Sequence, residues 1–192
     1  TVLEHWAADI HRHELNVRYG AEVAAVAGSQ GAFELRLKSG ESIEAENVVL
    51  ALGLEGSPRK LGVDGEDLPG VDYHLDDPAA FSGQTIVVVG AGDSAIENAL
   101  GLAGQNRVYI VNRREEFSRA KEGNLNAVLR AINDPDRDFH CVYGATVSGV
   151  DTNDDADTPL RIHLDTPQGQ RVIPCDRIIA RLGGIPPRGF VE

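Results

Sequence analysis

Two segments of the chain carry apolar residues at the i, i+3, i+4, i+7 spacing that predicts an amphipathic helix with one buried stripe. The stripe positions are Leu3, Trp6, Ala7 and Ile10 in the first segment, and Leu125, Val128, Leu129 and Ile132 in the second. Elsewhere apolar and polar residues alternate, which predicts strands with one covered face. On this pattern Trp6 is expected to be a core residue of the first helix.

The chain contains two copies of one structural unit. At an offset of 124 residues, segments 19–26 and 143–150 match without a gap at five identical positions. Each match is followed by an alternating strand, at 33–37 and at 160–164, and then by a turn and a return strand. This order predicts a β-meander in each copy.

Each copy ends in a nearly continuous apolar strand that runs into a glycine and is followed by proline. These strands are residues 48–53 and 178–183. Continuous apolar strands are typical of parallel sheets, in which both faces are covered. The Gly/Pro-rich connector 53–70 predicts the domain boundary, so that residues 1–68 form part of one domain and residues 69–192 form the other.

Only the second copy has a strand, a glycine-rich turn and a helix at its start. Residues 85–89 are a short β-branched run, the turn follows at once, and a second apolar strand occupies 108–111. The helix between them has the stripe Ile96, Ala99, Leu100 and Ala103. The predicted fold class is α/β, a Rossmann-like dinucleotide-binding fold in three layers with a β-meander, plus part of a second homologous fold.

The turn has the spacing of a dinucleotide fingerprint, GxGxxA. Its residues are Gly90, Ala91, Gly92, Asp93, Ser94 and Ala95. The first glycine permits the sharp turn, the second lets the backbone approach a pyrophosphate, and the small third residue allows close packing of helix on strand. Because the helix starts here, its N-terminus can bind phosphate through free N–H groups.

The second strand ends in Asn112, Arg113 and Arg114, where NAD-specific folds usually have an acidic residue for the ribose 2′-hydroxyl. Two guanidinium groups suit a 2′-phosphate instead, and Arg119 can add a third cation. We therefore expect NADP(H) to be preferred over NAD(H). In the alternative, the arginine pair forms ion pairs with Glu115, Glu116 and Glu122 on a solvated face.

Composition narrows the class of protein. The 192 residues are 42% hydrophobic and 25% charged, with a net charge of −12, which opposes binding to nucleic acid or to anionic membranes. No apolar run reaches the length of a membrane span, so a cytoplasmic protein is expected. Cys141 and Cys175 are expected to be buried structural thiols, and the acidic surroundings of His74 indicate a solvated linker rather than a metal site.

Residues 87–97, residues 112–119 and the two strand endings before proline resemble the thioredoxin-reductase-like pyridine nucleotide–disulfide oxidoreductases. The resemblance covers nearly the whole chain, and it implies an NADPH domain inserted into a homologous FAD domain. On this basis residues 1–68 are part of the FAD domain, and the full-length protein binds FAD as well as NADP(H). The resemblance also implies that Gly183 contacts the cofactor.

One departure from that family concerns its redox-active CxxC dithiol. The two cysteine positions correspond to Tyr73 and Asp76 here, so electrons cannot pass through a dithiol at this place. The chain therefore resembles the branch without the dithiol, which includes ferredoxin–NADP reductases and bacillithiol-disulfide reductases. This implies a ferredoxin-like protein or a low-molecular-weight disulfide as acceptor, and a possible homodimer. The run 117–121 also departs from the family pattern, which has arginine directly after the phenylalanine. Arg119 therefore matches the family pattern less closely than Arg113 and Arg114 do.

The expected function is that of the NADP(H)-binding part of an FAD-dependent reductase, without catalytic side chains or a metal of its own, since hydride transfer is cofactor chemistry. The first residue is Thr and no FAD glycine motif is present, so the isolated chain is expected to be a fragment without flavin or turnover. Two alternatives remain: a nucleotide-binding regulatory or redox-sensor module, and a fragment of a flavin-dependent monooxygenase.

Overall fold

A computed structural model describes residues 2–52, 58–153 and 157–185. The described residues divide into two units, one ending at Leu52 and the other beginning at Pro58. The first unit has helix α1 (Val2–Arg12) and strands β1 (Val23–Ser29), β2 (Ala32–Leu37) and β3 (Ser42–Ala45). The strands pair as an antiparallel sheet in the order β1-β2-β3, which confirms the first predicted meander.

Two expectations for the first unit are wrong. Trp6 is 62% exposed rather than buried, and among the described residues of this unit only Leu37 is a buried apolar side chain. A segment of this length buries too little surface to cover the helix stripe. The described part of the predicted strand 48–53, residues 48–52, is not a strand, and Val49 is 89% exposed. A parallel strand needs a neighbouring strand, and no strand in the described part of the chain pairs with these residues.

The second unit is built on a five-stranded parallel sheet in the order β4-β11-β5-β6-β7. Its strands are β4 (Val71–Asp72), β5 (Thr85–Val89), β6 (Arg107–Asn112), β7 (Phe139–Tyr143) and β11 (Arg177–Ala180). Helix α2 (Asp93–Leu102) connects β5 to β6, and helix α3 (Glu122–Ile132) connects β6 to β7. A 3-10 turn at Pro78–Ala80 precedes β5.

A second antiparallel sheet, in the order β10-β9-β8, is the second predicted meander. Its strands are β8 (Thr146–Thr152), β9 (Leu160–Thr166) and β10 (Gly169–Cys175). Side chains alternate along β5: Ile86 and Val88 pack with the helices, and Val87 and Val89 pack with the meander. All four are buried, which explains why the strand is apolar throughout and confirms the three-layer α/β architecture.

The connector before β4 packs with the second unit, although the sequence placed the domain boundary after residue 68. Leu61 and Leu68 pack against the meander side of the core. The Val150 amide donates to the Asp64 carbonyl at 2.9 Å, so the connector is also hydrogen-bonded to β8. The change between the two units therefore lies before Pro58.

Candidate dinucleotide-binding site

Gly90 follows the last residue of β5 and has a φ of +137°, which strongly favours glycine. A Cβ at this position would overlap with the carbonyl oxygen of Arg181 and would lie 3.2 Å from the Cβ of Ala95. Ala95 is fully buried in the first turn of α2. Gly90 and Ala95 thus allow the strand end, the helix start and the neighbouring strand to approach closely, as the sequence predicted.

Gly92 is the N-cap residue of α2 and has extended backbone angles, with φ −89° and ψ 176°. A Cβ here would meet no atom within 4 Å, so this residue faces open space. No side chain of the residues that the structure describes caps the helix, and the first amides of a helix have no acceptor within it. The turn therefore combines free volume with backbone donors, which suits a phosphate group.

The remaining residues of the turn, Ala91, Asp93 and Ser94, lie in different environments. Ala91 packs against the helix side of the core, and Ser94 is exposed in the first turn of α2. The Asp93 carboxylate accepts hydrogen bonds from the Lys121 amide at 2.9 Å and from Nδ2 of Asn124 at 2.8 Å. These bonds lower the pKa of Asp93. Its side chain thus links the start of α2 to the start of α3, a role that the motif did not predict.

Asn112, the last residue of β6, is buried and organises the loop that follows. Its Nδ2 donates to the Glu116 carbonyl at 3.0 Å, and its Oδ1 accepts from the Arg114 amide at 3.0 Å. Phe117, also buried, meets the Tyr143 ring edge-on at a centroid distance of 5.8 Å. Asn112 therefore fixes the loop from within, and the sequence motif alone could not distinguish this role from ligand contact.

The arginine side chains of this loop are exposed. Arg114 donates from Nη1 to the Ser118 hydroxyl at 2.8 Å, whereas Arg113 and Arg119 make no hydrogen bond or ion pair within the described part of the chain. In those same residues neither Arg113 nor Arg114 pairs with Glu115, Glu116 or Glu122. The described residues therefore do not form the ion pairs that the alternative interpretation of this arginine pair requires.

The glycine turn and the arginine loop lie at the same edge of the parallel sheet, because they follow the adjacent strands β5 and β6. The Gly90 amide donates to the Val111 carbonyl at 3.0 Å, which joins the two strand ends directly. On its other side β5 pairs with β11, so the direction of strand order reverses at this point. Ligands of open α/β sheets bind in the crevice at such a reversal.

Gly183 lies beyond the end of β11 with a φ of +87°. Its carbonyl accepts a hydrogen bond from the Arg59 amide at 2.9 Å, and Gly184 forms an antiparallel bridge with Pro58. A Cβ on Gly183 would meet nothing within 4 Å, so its glycine is required by backbone conformation rather than by space. Its predicted contact with a cofactor stays a prediction.

Tyr73, at the position where the family resemblance implies the first cysteine of a dithiol, is a hydrogen-bonded phenol. The Tyr73 hydroxyl donates to Oε2 of Glu66 at 3.2 Å and accepts from the Leu61 amide at 3.4 Å. Burial raises the pKa of Tyr73 above its usual value. Asp76, at the second cysteine position, is exposed. The Tyr73 hydroxyl therefore joins the end of β4 to the connector that precedes it.

The two cysteines are not a redox pair. Cys175 is buried and Cys141 is half-buried, and both thiols are free. Burial raises the pKa of each to about 12, so both are protonated at neutral pH. The described residues contain no group of three metal-binding side chains around His74 or elsewhere, and no helix among them is long and apolar enough to cross a membrane.

Known proteins resemble this chain in sequence and in fold. A ferredoxin–NADP reductase from Ignicoccus hospitalis is 34% identical over 155 residues, which cover 80% of this chain and 48% of that protein. A ferredoxin–NADP reductase from Gluconobacter oxydans is 31% identical over 162 residues, covering 73% of this chain and 48% of that protein. The chain therefore spans about half the length of these curated relatives.

Among solved structures, bacillithiol disulfide reductase Bdr from Bacillus cereus has a TM-score of 0.86 and 21% identity, covering 98% of this chain and 57% of that one. At this identity the likeness shows the shared fold alone. The pyridine nucleotide-disulphide oxidoreductase family matches residues 1–192, the entire chain. The sequence resemblance is thereby confirmed, and this chain belongs to the pyridine nucleotide-disulphide oxidoreductase family.

Proposed function

We propose that this chain is the NADP(H)-binding part of an FAD-dependent oxidoreductase that transfers hydride from NADPH to flavin and lacks the CxxC dithiol. The observation that carries the proposal is the open N-terminus of α2 at Gly92, together with Arg113, which directly follows the adjacent strand and has no partner among the described residues. Together they offer backbone donors for a diphosphate and a free cation for a second phosphate.

The residues present fit this cofactor. Gly90, Ala91, Gly92 and the backbone of Asp93, Ser94 and Ala95 would bind the diphosphate, because the space that a Cβ of Gly92 would fill is open. Arg113 and Arg114 would bind the 2′-phosphate, with Arg119 as a third cation and Asn112 holding their loop. Gly183 would lie at the opposite side of the crevice.

When bound, the nicotinamide supplies the hydride and the flavin accepts it, so this chain contributes orientation and charge. We assign the first unit, up to Leu52, to part of the FAD domain and the second unit, from Pro58, to the NADP(H) domain. The partly apolar, exposed surface of the first unit supports this assignment, because a partial domain leaves its core side chains uncovered.

The names of the curated relatives support a ferredoxin-like protein as electron acceptor. A low-molecular-weight disulfide is the second acceptor that we consider, since the likeness to a bacillithiol disulfide reductase extends over nearly the whole chain. With Tyr73 and Asp76 in place of a dithiol, either acceptor would receive electrons from flavin directly. A homodimer in the cytoplasm is the proposed setting.

The test is a calorimetric titration of the 192-residue chain with NADP⁺ and with NAD⁺. We expect NADP⁺ to bind more tightly, because only NADP⁺ presents a phosphate to Arg113 and Arg114. Equal affinities would contradict the proposal. In a full-length protein, tight NADP⁺ binding without bound flavin or NADPH oxidation would instead indicate a regulatory sensor.

A further inference from the structure

Arg181 lies beside the glycine turn on the side away from the arginine loop. It is the first residue after β11, and its amide donates to the Val89 carbonyl at 2.8 Å, which continues the pairing with β5. Its own carbonyl oxygen is the atom that a Cβ on Gly90 would strike. The backbone of Arg181 is therefore in direct contact with the turn that would hold a diphosphate.

The guanidinium group of Arg181 has no carboxylate partner in the described part of the chain. Its Nη1 donates to the Tyr73 carbonyl at 2.9 Å, and its buried Nε has no acceptor there. The nearby Glu66 carboxylate is engaged with the Tyr73 hydroxyl and with the Gly62 amide. A half-buried cation without a counter-ion is unfavourable unless a negative charge is supplied.

Arg177 provides a comparison within the same strand. It is four residues earlier, it is also half-buried, and its Nε likewise lacks an acceptor in the described residues. However, its Nη1 forms an ion pair with Asp72 at 2.6 Å, and the guanidinium covers the Phe81 ring at 4.7 Å. The strand thus balances the charge of Arg177 and leaves that of Arg181, at the carboxyl edge, unbalanced.

We propose that Arg181 is a positioning residue for the diphosphate and nicotinamide half of a dinucleotide, to which it supplies the missing balance of charge. The inference rests on the proposed function, since it places NADP(H) in the crevice between β5 and β11. Arg113 and Arg114 would select the adenosine end through the 2′-phosphate. Arg181, on the other side of Gly90, would act on the part that NADP(H) and NAD(H) have in common.

The test compares three probes by calorimetry: NADP⁺, NAD⁺ and 2′,5′-ADP, which carries the 2′-phosphate and the adenosine-side 5′-phosphate but lacks the nicotinamide-side phosphate and the nicotinamide. Arg181→Gln should weaken NADP⁺ and NAD⁺ by a similar factor of about ten and leave 2′,5′-ADP nearly unchanged. Arg113→Gln should weaken NADP⁺ and 2′,5′-ADP and leave NAD⁺ unchanged. These opposite patterns separate the two ends of the site.

Arg177→Gln is the matched control and should lower stability without changing the affinity for any probe. Arg181→Lys keeps the charge and should retain most of the dinucleotide affinity. This variant also tests the proposal if Arg181→Gln does not fold. Unchanged NADP⁺ affinity in Arg181→Gln, or a tenfold loss in a folded Arg181→Lys, would overturn the role of Arg181 while leaving the proposed function intact. Failure of the unaltered chain to bind NADP⁺ would reject both.

Discussion

The side chain of Asn112 accepts a hydrogen bond from the amide of Arg114 at 3.0 Å while itself being almost fully buried. The Nδ2 of Asn112 donates to the Glu116 carbonyl, so one side chain holds both ends of the short loop that carries the arginine pair. The cofactor preference expected of this chain therefore depends on a residue that points into the protein.

Replacing Asn112 with alanine should loosen this loop and reduce the preference for NADP⁺ over NAD⁺. The change leaves two backbone groups without partners and should cost about 1–3 kcal/mol of unfolding free energy. Asn106→Ala is the control, because Asn106 is also buried and bonds to backbone groups near the opposite end of the strands. Denaturant unfolding and titrations should show similar destabilisation in both variants but an altered cofactor preference only in the first.

The double variant Arg113→Ala/Arg114→Ala should bind NADP⁺ and NAD⁺ equally. Charge-assisted hydrogen bonds contribute about 1.5–3 kcal/mol each, so the loss in NADP⁺ affinity should be at least tenfold. Arg137→Ala removes another exposed arginine, which pairs with Asp134 away from the site, and should change neither affinity. Retention of the preference in the double variant would place the 2′-phosphate elsewhere.

The two glycines of the turn should respond differently to a side chain. Gly92→Val should fold and lose dinucleotide affinity, because the new methyl groups enter open space needed by the diphosphate. Gly104→Val, also in open space but after α2, is the binding control. Gly90→Ala should unfold at a lower temperature, since strain at a φ of +137° costs about 1–3 kcal/mol before the overlap with Arg181 is counted.

Asp93 should make the stability of the second unit depend on pH in the acid range. Hydrogen bonds from the Lys121 amide and from Asn124 lower its folded-state pKa below the usual 3.8. Its contribution is therefore fully present above that value and is lost as the pH falls through the folded-state pKa. Unfolding curves of the unaltered chain and of Asp93→Ala should differ at pH 6 and converge at low pH. A difference that persists unchanged in acid would contradict this origin.

Neither cysteine should react rapidly with iodoacetamide in the folded protein at pH 8. The reactive species is the thiolate, and burial raises the pKa of both Cys141 and Cys175 to about 12. Mass spectrometry should find little modification before unfolding and two modified cysteines in urea. Rapid labelling of Cys141 in the native state would show that its thiol is more accessible than its half-buried position indicates.

The sequence predicted those features of the glycine turn that depend on spacing alone. Gly90, Gly92 and Ala95 could be assigned because a strand followed directly by a helix leaves few residues able to occupy the turn. The side-chain roles of Asp93 and Asn112 were not predictable, because their partners become neighbours only when α3 and the loop after β6 are in place. Arg181 has no motif, and its importance follows from the strand order that sets it beside Gly90.

The two wrong predictions for the first unit have one physical origin. Periodicity reports which side chains are suited to burial, and it predicts burial only if another layer covers them. Trp6 and Val49 have the apolar pattern of core residues, but the described part of their unit contains no layer over them. In the second unit the sheet has helices on one face and a meander on the other, and there the same reasoning held except at Leu129, a predicted stripe residue of α3 that is 39% exposed.

The hydrogen bonds of Tyr73 bear on whether a dithiol could be introduced at this place. Its hydroxyl holds Leu61 and Glu66, and its carbonyl holds the Arg181 guanidinium, so the residue joins the connector to the sheet edge. Introducing cysteine at 73 and 76 would remove the hydroxyl's bonds without creating the shape that a redox-active dithiol requires. The Leu61 amide and the Glu66 carboxylate would each lose a partner, so cysteine at position 73 would be tolerated only together with changes at those neighbours.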